Sequence, residues 1–235
     1  MIELYQFRPK FGVPNLSPFC LKLETWLKMA GLEYQVRHID DPRKAPLGKL
    51  PYIKDGSLCL ADSSIIIEHL ETHYQINLDA HLSPEQKALS HACKVMVEEH
   101  LYWSLVYHRW LGEGWSQIKE AVFSVLPPLL RQLVPVMVQR KIRADLSSQG
   151  LGRHSIEQIN RFAEQDLQSL SLLLKGQPYF HGAQVSSIDA VLFATLCQLF
   201  HANLKTPLSD IALRFPELDE YQKRLGRQYF PDYYV

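Results

Sequence analysis

The chain lacks any cysteine pattern. Its four cysteines, Cys20, Cys59, Cys93 and Cys197, lie far apart. Neither a zinc-ligand spacing nor a disulfide framework can be read from them. No metal is expected, and a reducing, cytoplasmic setting is the default reading. An excess of one charge is also missing, since 25 Lys and Arg face 25 Asp and Glu. That balance gives no electrostatic basis for a nucleic-acid partner. Only Arg140-Lys141-Ile142-Arg143 gathers cations, and a solvated helix face accounts for it. No apolar run approaches the ~20 residues that a bilayer-spanning helix needs. The richest stretch, 121–138, contains Pro127, Pro128, Arg131, Gln132 and Pro135, which predicts a kinked helix in water. Glu3 and Arg8-Pro9-Lys10 interrupt any signal-peptide apolar region. No membrane partner is expected.

What is present is a change of character along 235 residues, 46% of them hydrophobic, a length suited to one or two domains. The first ~75 residues mix short elements. Strand signals fall at 2–7, 33–39, 52–54 and 57–60, and the last two are joined by the turn dipeptide Asp55-Gly56. With helices over 18–30 and 63–74, and a short one between, the order is β-α-β-α-β-β-α. That order predicts a mixed four-stranded sheet covered by helices, a thioredoxin-like α/β domain over 1–77. From Ser83-Pro84-Glu85 onward the pattern is helical. An uninterrupted helix is predicted over 83–111, with further helices over 116–126, 128–147, 155–174, 187–202, 207–213 and 216–225. This predicts an all-α domain over 83–235.

Chemistry concentrates at three joins in the first domain. Ser17-Pro18 is a helix start, with Ser17 as N-cap and Pro18 at the first position, where its missing N–H costs nothing. Phe19, Leu23, Trp26, Leu27 and Ala30 then share one helix face. A helix start collects free N–H groups and the positive end of the dipole, so it favours an anion, a thiolate above all. Cys20 stands three residues after Ser17, making a Ser-x-x-Cys version of the dithiol motif. Without the first cysteine a dithiol cycle is unavailable, which leaves Cys20 a secondary candidate or a packed residue. Lys49-Leu50-Pro51-Tyr52-Ile53 sets a proline before a short strand, and Asp62-Ser63-Ser64 opens the next helix.

In this order the three motifs resemble the N-terminal domain of the glutathione transferase superfamily. The resemblance implies that Ser17 donates a hydrogen bond to the glutathione sulfur and favours its thiolate. It also implies that a cis Pro51 lets Leu50 present its backbone to the cysteinyl part. Asp62 and Ser63 would then hold the γ-glutamyl ammonium and carboxylate, and Lys49 the glycyl carboxylate. Ser186-Ser187-Ile188-Asp189 resembles the capping box of the superfamily's helical domain. The stretches Ser17–Trp26, Gly150-Leu151-Gly152-Arg153-His154-Ser155 and Arg227-Gln228-Tyr229-Phe230-Pro231-Asp232 resemble its failed axon connections and metaxin-like branch.

The implied activity is conjugation or reduction of a hydrophobic electrophile by glutathione, a detoxifying transfer of alkyl or aryl groups. Glutathione would be the co-substrate and a homodimer the assembly. Tyr102, Trp103, Tyr107 and Trp110 would meet the second substrate, or else pack in the core, as aromatics at helical spacing do. The alternative is a non-catalytic scaffold or interaction protein with the same fold. Capping alone would explain Ser17. Tyr5 is a rival catalytic group, but its place inside a strand pattern favours packing.

Overall fold

A computed structural model describes residues 1–234 of the chain. By packing it divides into two compact units. The first comprises Met1–Lys94, Leu174–Ala202 and the chain from Glu217 onward; the second comprises Val95–Leu173 and Asn203–Pro216.

The first unit holds a four-stranded sheet, made of β1 (Ile2–Gln6), β2 (Tyr34–His38), β3 (Tyr52–Asp55) and β4 (Leu58–Ala61), in the order β2-β1-β3-β4. β2 runs parallel to β1, with Ile2 opposite Tyr34. β3 runs antiparallel to β1, with Tyr5 opposite Tyr52, and β4 antiparallel to β3. The parallel pair needs a crossover, which α1 (Pro18–Met29) provides, and α2 (Ser63–Tyr74) follows β4. Both helices bury apolar side chains against the sheet: Leu23, Trp26, Leu27, Ile66 and Leu70 join Ile2, Leu4 and Ile53 in one core.

The sequence pattern gave α1 one apolar face. In the structure every residue from Cys20 to Leu27 is buried, while Phe19 and Ala30 are only half-buried. The reason is α8 (Ser187–Phe200), almost wholly buried itself, which covers α1 on its other side. The indole N–H of Trp26 reaches Ser187 Oγ at 3.3 Å.

The capping box at the start of α8 forms as expected. Asp189 accepts the Ser186 N–H at 2.7 Å, and also the Phe180 N–H at 2.8 Å and the Tyr221 hydroxyl at 2.6 Å. Tyr221 belongs to α10 (Pro216–Tyr229). This carboxyl group therefore ties three segments of the first unit together. Burial pushes its pKa up, against the pull of its donors.

The predicted 83–111 helix is interrupted. α3 (Pro84–Met96) and α4 (Tyr102–Trp110) are separated by a π-helical turn over Val97–Leu101. Single π turns of this kind occur inside otherwise regular helices and carry no local sequence signature. In the second unit, α5 (Trp115–Phe123) and α6 (Pro128–Gln149) divide the 121–138 run between them, with Pro128 at the first position of α6. α7 (Ile156–Leu174) and α9 (Pro207–Ala212) complete the helices. Among the described residues no helix is long and apolar enough to cross a membrane.

Candidate functional site

The loop after β1 is fixed by Asn15, which is fully buried. Its side chain donates to the Phe7 carbonyl at 2.8 Å and accepts the Ser17 N–H at 3.0 Å. Its own carbonyl accepts from Gln198 at 3.0 Å. Ser17 then caps α1 from an extended backbone (φ −86°, ψ 118°), accepting the Cys20 N–H at 3.4 Å. That bond is long for a cap. In it the half-buried Ser17 hydroxyl is the acceptor.

Cys20 is fully buried, and burial pushes its thiol up to about 12; hydrogen bonds with Ser17 and the Phe7 backbone offset only part of this. The helix start that favours a thiolate on sequence grounds is outweighed by desolvation. Cys20 is a packed thiol at neutral pH. Tyr5, the rival, stacks on Tyr52 at 4.3 Å and donates to Glu3 at 2.8 Å, a packing role.

The Leu50–Pro51 peptide bond is cis. Among the described residues the Leu50 N–H and C=O make no hydrogen bond. Beyond β4, Asp62 adopts φ +77°, a conformation few residues other than glycine take. Its Oδ1 caps α2, accepting the N–H groups of Ser64 at 2.8 Å and Ile65 at 3.2 Å. Oδ2 has no partner among the described residues. Ser63 is buried at the first position of α2, and Lys49 is exposed with no ion pair among the described residues.

One small cluster joins these motifs. Cys20 from the first turn of α1, Leu50 before the cis-proline and Tyr52 pack together with Ala45, and Ala61, the neighbour of Asp62, packs against them. Three segments far apart in sequence thus meet at one end of the sheet.

Sequence reasoning missed Lys22. It is only 2% exposed, yet its Nζ donates to Ser64 Oγ at 3.1 Å, linking α1 to the first turn of α2. It lines a cavity of about 330 Å³ with Ser64, Glu68, Glu71 and His91. The available signal was a lone cation inside the apolar run Phe19–Leu27. Tyr102, Trp103, Tyr107 and Trp110 lie in the second unit. All four are half-buried and pack against Val106, Leu146, Leu151 and Ile159.

Residues 18–115 match the family model described as the glutathione S-transferase N-terminal domain, and residues 163–225 match that of its C-terminal domain. The isoprene-epoxide–glutathione S-transferase of Rhodococcus sp. (strain AD45) is 32% identical over 237 residues, which cover 97% of this chain and 99% of that enzyme. The chain belongs to the glutathione transferase superfamily. Within the superfamily it is also similar to failed axon connections of Drosophila melanogaster, at 34% identity over 99% of this chain. It spans only 59% of that fly protein's length. Metaxin-2 of Homo sapiens is 25% identical over 90% of this chain and 82% of its own length. Both of these relatives come from the branch that its motifs resemble. The solved structure of the beta-etherase LigF from Sphingobium sp. strain SYK-6 shares the fold, with a TM-score of 0.68 at 20% identity over 99% of this chain and 98% of that one.

Proposed function

We propose that this superfamily member binds glutathione at the sheet end where Ser17, Leu50-Pro51 and Asp62-Ser63 come together, and that it adds the glutathione thiol to a small electrophile. The observation that carries the reading is the shared packing of Cys20, Leu50 and Ala61. It brings the first turn of α1, the residue before the cis-proline and the end of β4 together, which supports a site shared by the neighbouring Ser17 hydroxyl, the unengaged Leu50 N–H and C=O and the half-engaged Asp62 carboxylate. Each suits one part of the tripeptide. The Leu50 backbone would pair with the cysteinyl unit as an added strand does. Asp62 Oδ2 would take the γ-glutamyl ammonium, while Ser63 and the α2 N-terminus would take its carboxylate. Lys49 is in reach of solvent for the glycyl carboxylate. Ser17 would donate to the sulfur, and a hydrogen bond to the charged form lowers a thiol pKa.

The name of the bacterial relative suggests an epoxide as electrophile. The thiolate would form a C–S bond as the ring C–O bond breaks, and the alkoxide so formed would take a proton from water. Calorimetric titration with glutathione into the millimolar range tests the binding step. Because Asp62 caps α2, Asp62→Asn is the informative change: it keeps the cap acceptor and removes the charge. Binding is expected for the wild-type protein and a loss of about tenfold or more for Asp62→Asn. No heat of binding to the wild-type protein sinks the reading. Glutathione binding without thiol consumption, for any epoxide offered, would instead make the chain a non-catalytic binding module.

A further inference from the structure

The segment 116–162 lies between the two stretches that the family models match, and α6 is the longest element in it. The inner face of α6 carries Pro135, Val138, Ile142 and Leu146, of which Pro135 and Leu146 are fully buried. Its outer face is also apolar over the first three turns. Leu129, Leu133, Val136 and Met137 follow one another at helical spacing and are 70%, 53%, 65% and 70% exposed. Leu130 flanks them, and Val125 precedes them at 83%. Arg131, whose guanidinium bonds the Leu126 carbonyl, and Gln132 are the exposed polar residues of these turns. Beside them the stripe is apolar, as on the inner face, and an apolar stripe belongs against an apolar partner. An exposed stripe on the order of several hundred Å² marks a docking surface.

The same outer face continues into cations. Arg140 lies one turn beyond Val136 and Met137, and Arg143 follows it. Both are exposed, and neither has an ion-pair partner among the described residues. The neighbouring Lys141 is paired with Asp145 at 2.7 Å. Asp145 is the one acid in the α6 sequence. The missing partner must therefore accept apolar side chains along the first half of the helix and supply negative charge along the second. A second copy packed α6 against α6 would bring no free acid to Arg140 and Arg143.

We propose that the outer face of α6 docks on an anionic lipid surface. Leu129, Leu133, Val136 and Met137 would enter the headgroup–acyl boundary, and Arg140 and Arg143 would lie against lipid phosphates and carboxylates, the arrangement of an interfacial helix. This differs from crossing the bilayer, and it departs from the expectation of no membrane partner. The cluster Arg140-Lys141-Ile142-Arg143, which the sequence alone leaves as a solvated face, gains a role from the exposed stripe beside it.

Flotation of the whole chain with vesicles tests the proposal, comparing phosphatidylcholine alone with phosphatidylcholine containing about one-third phosphatidylserine. Binding is expected only to the mixed vesicles, and it should weaken as salt screens the charges. Arg140→Gln with Arg143→Gln should lower partitioning about 30-fold, at roughly fivefold per basic side chain. Leu129→Gln with Leu133→Gln and Met137→Gln should abolish it. These positions face solvent, so an unchanged thermal melt is expected and verifies folding. The arginine pair gives an independent reading should the apolar triple fail to fold. The proposal is overturned if the wild-type protein ignores the mixed vesicles, or if both folded variants bind them as the wild type does. It is equally overturned if light scattering finds a dimer that the apolar triple splits while lipid binding is absent, since the face would then belong to a second copy.

Discussion

The ammonium of Lys22 donates to the hydroxyl of Ser64 at 3.1 Å, across 42 residues of sequence. The backbone N–H of Ser64 in turn donates to Asp62. The contact pins the first turn of α2 to the middle of α1, and so sets the γ-glutamyl end of the proposed site relative to Ser17.

Ser64→Ala should therefore cost on the order of 1–2 kcal/mol, because it takes an acceptor from a nearly buried ammonium. Thr72→Ala, an exposed change two turns further along the same helix, should cost less than about 0.5 kcal/mol. Urea denaturation of the two variants checks this. Equal costs would mean that the contact contributes nothing.

Cys20 should behave as a buried thiol. Cys59 is exposed, whereas Cys20, Cys93 and Cys197 are buried. An aromatic disulfide at neutral pH should consume one thiol quickly and the other three only on unfolding. The pH dependence follows from the sign of the shift. The native thiol keeps its proton up to about 12, whereas the unfolded one ionises near ~8.5. The unfolded chain thus loses its proton first, and stability falls as pH rises through that window. Cys20→Ala should remove this part of the slope.

Asp189 and Tyr221 make a graded pair. Asp189→Ala strands the buried donors of Ser186, Phe180 and Tyr221, and should cost about 3–5 kcal/mol. Tyr221→Phe removes only one of the four bonds to that carboxylate, the Ser186 hydroxyl being the fourth donor, and should cost about 1–2 kcal/mol. Denaturation midpoints that fall in the reverse order would show that Tyr221, and not the carboxylate, organises the cap.

Much of this was legible in sequence wherever a local rule acts. Ser17-Pro18 and Ser186-x-x-Asp189 specify caps through their own backbone bonds, so both caps stand where the sequence sets them. The hairpin forms as well, but Asp55 ends β3 opposite Leu58 and Gly56-Ser57 make the turn, one residue later than the Asp55-Gly56 reading. The cis form of Leu50–Pro51 was legible only through the family resemblance. What escaped depends on partners far along the chain. The all-round burial of α1 comes from α8, some 160 residues later. The role of Lys22 comes from Ser64. The shift of Cys20 reflects burial beneath Leu50 and Tyr52, which no helix-start rule contains. The sequence marks Asp62 as a ligand group but carries no sign of its positive φ or its capping of α2, because only the packed loop imposes them.

Ser17 offers the sharpest separation of cap from catalyst. Its cap bond is long, at 3.4 Å, so Ser17→Ala should cost only about 0.5 kcal/mol, the low end for an N-cap. Ser17→Asp keeps an acceptor for the Cys20 N–H and suits the helix dipole, so it should be as stable as the wild type. The two variants should nevertheless part from the wild type in chemistry. Alanine removes the donor to the sulfur, and aspartate adds a like charge beside it; both disfavour the thiolate, the aspartate more. Titrating the thiolate absorbance of bound glutathione against pH should give its lowest pKa in the wild type, a higher one in Ser17→Ala and the highest in Ser17→Asp. Conjugation rates at neutral pH should fall in the same order, by about tenfold per pKa unit when the thiolate fraction limits the rate. Three identical titrations would leave Ser17 a cap and nothing more, and the nucleophile would then have to be activated by the helix N-terminus alone.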